Sequence, residues 1–436
     1  METRPDKDEL IDLLERTLLH TRFDAGRYGA FSAEQMRSMH EQGTLLLDPR
    51  APLVQTVVPD DALRELSNEL GRVMVRFVNP ETGSIGNGLV DLMGGFLDCS
   101  LTDFAKEVVT AGATLGPKDA IGMLFGWIDG GPLQYQTKAL LTGVKVDHPL
   151  VLEGGLRIEQ LPKSSSELMP YQHAPPSMLG SADSYVELLG STLLSVDCEA
   201  SPAFYRPSSS GIPWENVQRS RKVSHIPEFS IDTFCEALSL ACNHAIRCRG
   251  SWGFYGDLRH FNRVAGWGRA SPYVPHQWLQ ARLSQKQLCQ ARELLALMNA
   301  EVKSRRGLST AIHRWINSKS EETIFVDRFI EIRIALESLY LKARAGEMRF
   351  RLAITGAWHL GRNLEERRDY YELLRTAYDR SSKAVHAGDI EDTESNRRLL
   401  ARAQDVCREG ILKCLSEPEK PNWDDLILGA EIEALS

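Results

Sequence analysis

The C-terminal part of the chain constrains the fold most, because apolar residues recur there at helical spacing over a long stretch. Between Glu321 and Ala345 they return every three or four residues, which predicts one face of a helix. The same spacing predicts further helices at 285–302, 308–317, 347–360, 365–388 and 394–415. Short connections between successive helices favour antiparallel neighbours. We therefore expect an antiparallel α-helical bundle over residues 284–417.

The sequence before residue 284 combines helical spacing with the alternating pattern of strands. Residues 6–20 and 60–77 show helical spacing, with Asp60 or Asp61 as the expected N-cap of the second helix. From about residue 132 to residue 206, apolar and polar residues alternate, which predicts strands joined by glycine turns at Gly154-Gly155 and Gly190. The predicted fold class is α+β, with an N-terminal mixed α/β region followed by the C-terminal antiparallel α-helical bundle.

This pattern predicts four segments. Residues 1–130 form a mostly helical N-terminal region, and residues 131–283 form a β-containing region that could act as a sensor or bind substrate. The helical bundle follows at 284–417. The acidic tail, 418–436, is expected to be loosely held.

Charge and cysteine content narrow the classes of function. A net charge of −8 argues against coating of nucleic acid along its length, although it leaves room for a local phosphate site. The eight cysteines include no C-x-x-C pair, which is typical of reduced thiols inside the cell. The N-terminal METRPDKDEL lacks the apolar core of a signal peptide, and no apolar run reaches the roughly 18 residues that a membrane span needs. We predict a soluble, cytoplasmic protein that does not associate with membranes.

Two sequence patterns resemble ligand-binding motifs, but each is better explained as a structural feature that binds no ligand. The glycine-rich segment 79–95 has no lysine where a phosphate-binding loop needs one, so a plain loop is favoured. Cys235, Cys242, His244 and Cys248 are not spaced as the tight pairs of a structural zinc site, which favours buried structural cysteines. We expect no metal and no cofactor.

Three further stretches leave their role open. The polar segments 163–181 and 206–218 are long surface loops that could form a binding rim or have no binding role. Aromatic residues and arginines alternate over 251–278. Such a cluster can stack on bases, but filling the junction between two domains is the favoured reading.

The segment EERRDYYELLRTAYDRSSKAVHAG, residues 365–388, contains the candidate active site. A guanidinium at Arg380 and an imidazole at His386 can bind a phosphate and move a proton. On an ideal helix, Asp379, Lys383 and His386 share a face beside the expected core stripe, and Arg380 points away from that stripe. The stripe itself is expected at Tyr371, Leu374, Tyr378, Ser382 and Val385.

Arg380 and His386 lie about 120° apart on a regular helix and cannot converge unaided. Either the backbone turns off the helix axis just before Gly388, or two copies of the helix face each other and pool their residues. The spacing alone is weak evidence, since a histidine also follows Arg219, Arg269 and Arg306 at a similar distance.

Three segments together resemble an Apea-type HEPN domain. They read LSTAIHRWINSKSEETIFVDRFIEIRIALESLYL, GEMRFRLAITGAWHLG and ERRDYYELLRTAYDRSSKAVHAG, within residues 308–415. The resemblance implies a helical bundle that is commonly dimeric, and many such proteins are metal-independent endoribonucleases of toxin or antiphage-defence systems. By motif position, Arg380 and His386 are the implied catalytic pair, with Ser381 at the polar position after the arginine.

The chain departs from the family pattern at three points. The spacing between arginine and histidine is one residue longer than the common form, Ala387 replaces the usual first glycine, and Trp358-His359 stands where aliphatic residues are usual. These differences bear on the geometry of the implied site.

Two functional hypotheses follow. The first is an endoribonuclease that cleaves RNA by attack of a 2′-hydroxyl, as a homodimer through the bundle, with Asp379, Lys383 and Glu337 in supporting positions. The second is a non-catalytic dimerisation or ligand-binding module acting as a regulator. In it Arg380 is a surface cation paired with Asp379 or Glu372 and His386 caps the helix. In either, residues 131–283 could recognise a phage or cellular trigger.

Overall fold

A computed structural model describes residues 6–24, 30–41, 55–88, 97–129, 133–160, 192–200, 203–205, 223–224, 229–254, 280–300, 306–341, 347–417 and 421–428. The chain forms two compact units. The first comprises Met1–Leu140, Val151–Pro227 and Arg249–Val274, and the second comprises Leu141–Leu150, Glu228–Cys248 and Pro275–Ser436. The fold is mixed α and β, with small sheets and a C-terminal helical region, as predicted. The four-segment division stays a prediction, and its boundaries differ from those of the two units.

Among its described residues, the first unit contains five helices: α1 Lys7–Leu19, α2 Ala33–Glu41, α3 Asp60–Val73, α4 Leu101–Leu115 and α5 Pro117–Asp129. The predicted apolar stripe of α3 is confirmed, since its leucines and Val73 are buried. The predicted N-cap is wrong. Pro59 occupies that position and makes no side-chain hydrogen bond, while Asp60 and Asp61 lie in the first turn. There their carboxylates face the positive end of the helix dipole.

Two three-stranded sheets accompany these helices. β1 Arg22–Asp24 lies between β2 Ala30–Phe31 and β3 Gln55–Val57, whereas β4 Ser84–Gly88 lies between β5 Leu97–Ser100 and β11 Ala203–Tyr205. The prediction of a plain loop at 79–95 is therefore wrong for residues 84–88, and residues 89–95 lie outside the described residues. Backbone pairing on both sides of β4 outweighs the low strand propensity of its glycines.

The largest sheet has six strands: β6 Leu133–Thr142, β8 Leu150–Leu152, β9 Leu156–Gln160, β10 Thr192–Ala200, β12 Val223–Ser224 and β13 Arg247–Phe254. Its order is β13-β6-β10-β9-β8, and β12 also pairs with β10. The glycine turn before β9 is confirmed, because Gly154 and Gly155 have φ of 92° and 76°. A Cβ at Gly155 would lie 2.5 Å from a carboxylate oxygen of Asp197, so only glycine fits there. The turn at Gly190 and the loops at 163–181 and 206–218 lie outside the described residues, as does most of 251–278.

The second unit is mainly helical. Its helices are α6 Ile231–Cys242, α7 Gln285–Asn299, α8 Arg306–Lys319, α9 Phe325–Tyr340, α10 Met348–Leu360, α11 Leu364–Ala387, α12 Glu394–Ser416 and α13 Trp423–Leu428. A short parallel pair, β7 Val144–Lys145 with β14 Ala281–Arg282, belongs to the same unit. The six helices predicted between residues 285 and 415 are confirmed, and the Thr393 side chain caps α12 by accepting a hydrogen bond from the Asn396 amide.

Helices α10 and α11 are antiparallel. Arg349 near the start of α10 pairs with Asp379 near the end of α11, whereas the segment after α10 meets the start of α11. Between these contacts, a Cβ at Gly356 would lie 2.4 Å from a methyl group of Leu374. A glycine at this position therefore lets the two helices approach closely.

The expectation of a loosely held tail is wrong for residues 421–428. This segment forms α13, where Trp423 and Leu426 are only 4% and 6% exposed. The Trp423 ring packs at 5.0 Å from the ring of His359 and at 5.5 Å from that of Tyr340. An apolar side chain within an acidic segment provides enough buried surface to dock it.

Helix α6 carries an acidic group that makes stability depend on pH. Burial, followed by the nearby Asp232 carboxylate, raises the pKa of Glu236 from 4.5 to about 7. The folded state thus keeps a proton that the unfolded state releases, and stability is lost as pH rises from 4.5 through 7. We expect Glu236→Gln to stabilise the protein at pH 8 by about 1–3 kcal/mol and to change it little at pH 4.5.

Urea unfolding at the two pH values measures this effect. Glu293→Gln, at an exposed position of α7, is the matched control and should be neutral at both. An equal effect of Glu236→Gln at pH 4.5 and pH 8 would contradict the assignment.

The predicted burial of the cysteines near α6 is confirmed for Cys235, whereas Cys242 and Cys248 are only half-buried. Burial raises the pKa of the Cys235 thiol, which keeps it protonated.

Candidate active site

Helix α11 determines where Arg380 and His386 lie. The Asn363 side chain accepts a hydrogen bond from the Glu366 amide at the first turn. The helix ends at Gly388, whose φ is 65° and whose amide donates to the Ala384 carbonyl at 2.9 Å. His386 is therefore still inside the regular helix. The first expected route to convergence, a backbone turn before Gly388, is wrong, because the departure from the helix comes only at that glycine.

The buried face of α11 differs from the predicted stripe. Its buried residues are Leu373, Leu374, Ala377, Ser381 and Ala384. Tyr378 is half-buried and Val385 is 51% exposed. The true face is rotated by roughly 90° from the predicted one. The prediction that Arg380 points away from the core is wrong, because this face brings it to its edge, where it is half-buried, while His386 points into solvent.

Neither Arg380 nor His386 has a hydrogen bond or ion pair from its side chain within the described part of the chain. Their neighbours pair elsewhere. Asp379 accepts two hydrogen bonds from Arg349, at 2.8 and 3.0 Å, and Glu372 pairs with Arg375 at 2.8 Å. The ion pair of Arg380 with Asp379 or Glu372, expected in the non-catalytic hypothesis, is therefore not formed. Both groups are open to an external anion.

The four predicted supporting residues differ in their burial and in their hydrogen-bond partners. Lys383 is exposed on α11, and Asp379 is committed to Arg349. Ser381 is fully buried and donates to the Tyr378 carbonyl at 2.8 Å, so its hydroxyl faces the helix backbone. Glu337 on α9 accepts from Arg333 at 2.7 Å. None of these four side chains forms a hydrogen bond or ion pair with Arg380 or His386 in the described residues.

Arg333 links Glu337 to the helix that carries the candidate pair. Its guanidinium donates to the Tyr378 hydroxyl at 2.9 Å and lies 4.4 Å from the centre of the tyrosine ring. Burial raises the pKa of the Tyr378 phenol. The cluster fixes the rotation of α11 two residues before Arg380. The sequence did not single out Arg333, although its spacing of four residues from Glu337 is a detectable helix pair.

A separate buried cluster lies at the other end of α10. His359 Nε2 lies 3.8 Å from a carboxylate oxygen of Glu417 and 4.0 Å from the sulfur of Cys414. Burial, assisted by the Lys413 ammonium, lowers the pKa of His359 to about 3, so the ring is neutral. Among the described residues, this is the group of histidine, cysteine and acidic side chains whose ligand atoms lie close enough to hold a metal ion.

Comparisons with protein-family models, curated proteins and solved structures found no match for this chain. Within the described residues, every helix is too short or too polar to cross a membrane. The HEPN resemblance thus rests on the sequence motifs of α8–α12.

Proposed function

We propose that the protein is a metal-independent endoribonuclease of the HEPN type, acting in a toxin or antiphage-defence system. The observation that carries the proposal is that the Arg380 guanidinium and the His386 imidazole, both on α11, have no hydrogen-bond or ion-pair partner within the described residues. On the same helix, Arg375 is paired with Glu372. The unpaired state of Arg380 is therefore particular to its own position and is not shared by every arginine of α11. The motif resemblance over residues 308–415 supports the same assignment.

The chemistry needs a proton acceptor, a proton donor and a cation at the phosphate. The 2′-oxygen of a ribose attacks the adjacent phosphorus as His386 accepts its proton, and the bond to the 5′-oxygen breaks as that oxygen takes up a proton from water. Arg380 binds the non-bridging oxygens, on which negative charge increases in the transition state. The products are a 2′,3′-cyclic phosphate and a 5′-hydroxyl end.

One copy of α11 is a poor active site by itself. Because the helix is regular through Ala387, Arg380 and His386 are separated by about 120° and by about 9 Å along the axis. A twofold arrangement of two chains would place the arginine of one copy near the histidine of the other. The proposal therefore includes a homodimer whose α11 helices face each other.

Incubation of the purified full chain with total RNA in EDTA tests the proposal. Cleavage in wild type that is absent in Arg380→Ala and His386→Ala is the expected result. New ends should carry 2′,3′-cyclic phosphates, detected by resistance to ligation until a phosphatase acting on cyclic phosphates is added. Intact RNA with wild type, or equal cleavage by all three proteins, would overturn it.

A non-catalytic dimerisation module is the second candidate. Large apolar side chains remain exposed on α10 and α11, with Met348 at 42% and Phe350 and Val385 each at 51%. Exposed apolar surface of this kind favours association with another chain. Such a module would dimerise, leave RNA intact and be unaffected by His386→Ala. Residues 131–283 could then bind the signal.

A further inference from the structure

The cluster near the end of α10 is built from two helix ends. His359 lies in the last turn of α10. Cys414 lies in the last turn of α12, and Glu417 is the C-cap residue of the same helix. Helix C-termini carry the negative end of the dipole, which stabilises a cation placed against them. Two helices thus direct this field toward the same group of side chains.

We propose that His359, Cys414 and Glu417 bind a zinc ion that fastens the C-terminal segment to the helical unit. The nitrogen, sulfur and oxygen donors form a set that suits a borderline-soft divalent ion. The donor atoms of all three residues lie within 4.8 Å of one another. A tetrahedral zinc ion holds neighbouring donors about 3.3–3.6 Å apart, so the measured 3.8 and 4.0 Å need only a small contraction.

The histidine ring is already oriented for a metal ion. Its Nδ1 lies 3.3 Å from the Tyr340 hydroxyl, which leaves Nε2 facing Cys414 and Glu417. A hydrogen bond donated by the second ring nitrogen, here to the Tyr340 hydroxyl, is how proteins commonly fix the tautomer of a metal-binding histidine.

The surroundings shield the histidine and cysteine donors from solvent, whereas the Glu417 side chain is 26% exposed. His359 and Cys414 are 1% and 6% exposed, and the indole of Trp423 packs over the imidazole. The Lys413 ammonium donates a hydrogen bond to the His359 main-chain carbonyl at 2.5 Å. This hydrogen bond goes to the backbone at the end of α10 and not to the imidazole ring. With the cysteine as thiolate and the glutamate ionised, the charges of the donors balance those of Zn²⁺. Three protein donors leave one tetrahedral position for a water molecule.

This ion would have a structural role, separate from the proposed cleavage of RNA. The end of α10 meets α11 near Arg367, where Gly361 approaches that residue. Arg380 lies further along α11 by about 20 Å. Zinc at His359 would instead connect the end of α10 to the end of α12, where the C-terminal segment begins.

Elemental analysis of the full chain, purified without added metal and passed through chelator-treated buffer, tests the site. We expect about one zinc ion per wild-type chain and almost none in Cys414→Ala. Cobalt substituted for zinc should give a thiolate-to-cobalt charge-transfer band that Cys414→Ala lacks. Glu417→Gln should lose zinc to a competing chelator faster than wild type. Removal of the ion should lower the Tm of wild type and leave that of Cys414→Ala unchanged.

Cys407→Ala is the matched control, because Cys407 is a fully buried thiol two turns earlier on α12 and lies outside the donor group. It should keep zinc and the cobalt band. A wild-type chain without zinc, or zinc retained equally by Cys414→Ala and Glu417→Gln, would overturn the proposal. Since Arg380→Ala should keep its zinc, failure of the ribonuclease proposal and failure of this one are distinguishable.

Discussion

Replacing His386 with alanine is expected to lower the rate of RNA cleavage about 10²- to 10⁴-fold, the usual contribution of a positioned general acid or base. The ring is exposed at the end of α11 and has no partner in the described residues, so its removal costs no packing. Thermal unfolding of the variant should match that of wild type. Single-turnover cleavage of a fluorescent RNA under saturating protein measures the chemical step apart from binding.

Arg380 allows a finer test through two substitutions. Arg380→Ala should lower the rate by a similar factor, whereas Arg380→Lys keeps the charge but loses the bidentate contact to phosphate and should fall between. Arg368→Ala removes an exposed arginine from the same helix, about 18 Å away along the axis, and should leave the rate unchanged. An equal loss with Arg368→Ala would mean that α11 only attracts RNA by its charge.

Mixing the two inactive variants tests whether the site is shared between chains. If Arg380 of one copy serves His386 of the other, a dimer of Arg380→Ala with His386→Ala has one intact site. Random pairing would then restore about a quarter of wild-type activity. No recovery after co-expression and confirmed exchange of subunits would contradict a composite cleft.

The helices of the second unit were predictable because their apolar spacing is a local property of the sequence. The rotation of α11 was not. Tyr378 and Val385 are apolar enough to define a core stripe, yet Ala377, Ser381 and Ala384 are the buried residues. Contacts of α9, α10 and α12 with α11 select the small side chains, since these allow close packing. A single sequence does not reveal which neighbours a helix will have.

Long-range contacts account for the other differences. The donor atoms of His359 and Cys414 belong to different helices, and their proximity follows from packing of the unit. Of that cluster, only the short spacing from Cys414 to Glu417 at the end of α12 could have been noticed in the sequence. In the same way, Ser84–Gly88 has little strand propensity and becomes a strand through its partners.

Trp315 on α8 should give the largest effect on stability, because it combines full burial with a long-range hydrogen bond. Its side chain is 0% exposed, and its indole N–H donates to the Gln404 carbonyl of α12 at 2.8 Å. The Gln404 side chain in turn donates to the Ser318 carbonyl at 2.6 Å. Removal of the ring leaves a cavity between α8 and α12 and removes the interhelical hydrogen bond, while the Gln404 carbonyl keeps its helical bond from the Arg408 amide. We expect Trp315→Ala to lower the free energy of unfolding by about 3–5 kcal/mol.

Trp315→Phe separates the two contributions, since it keeps most of the ring and loses only the donor. A loss of about 0.5–1.5 kcal/mol is expected, because one buried interhelical hydrogen bond is lost. His313→Ala, at an exposed position of the same helix, should change stability by less than about 0.5 kcal/mol. Denaturant unfolding followed by helical circular dichroism measures all three.

Because α8 and α12 flank the helices that carry the proposed site, a Trp315→Ala protein should also cleave RNA only below its lowered unfolding temperature. A stability equal to that of His313→Ala would show that the indole is not enclosed between α8 and α12.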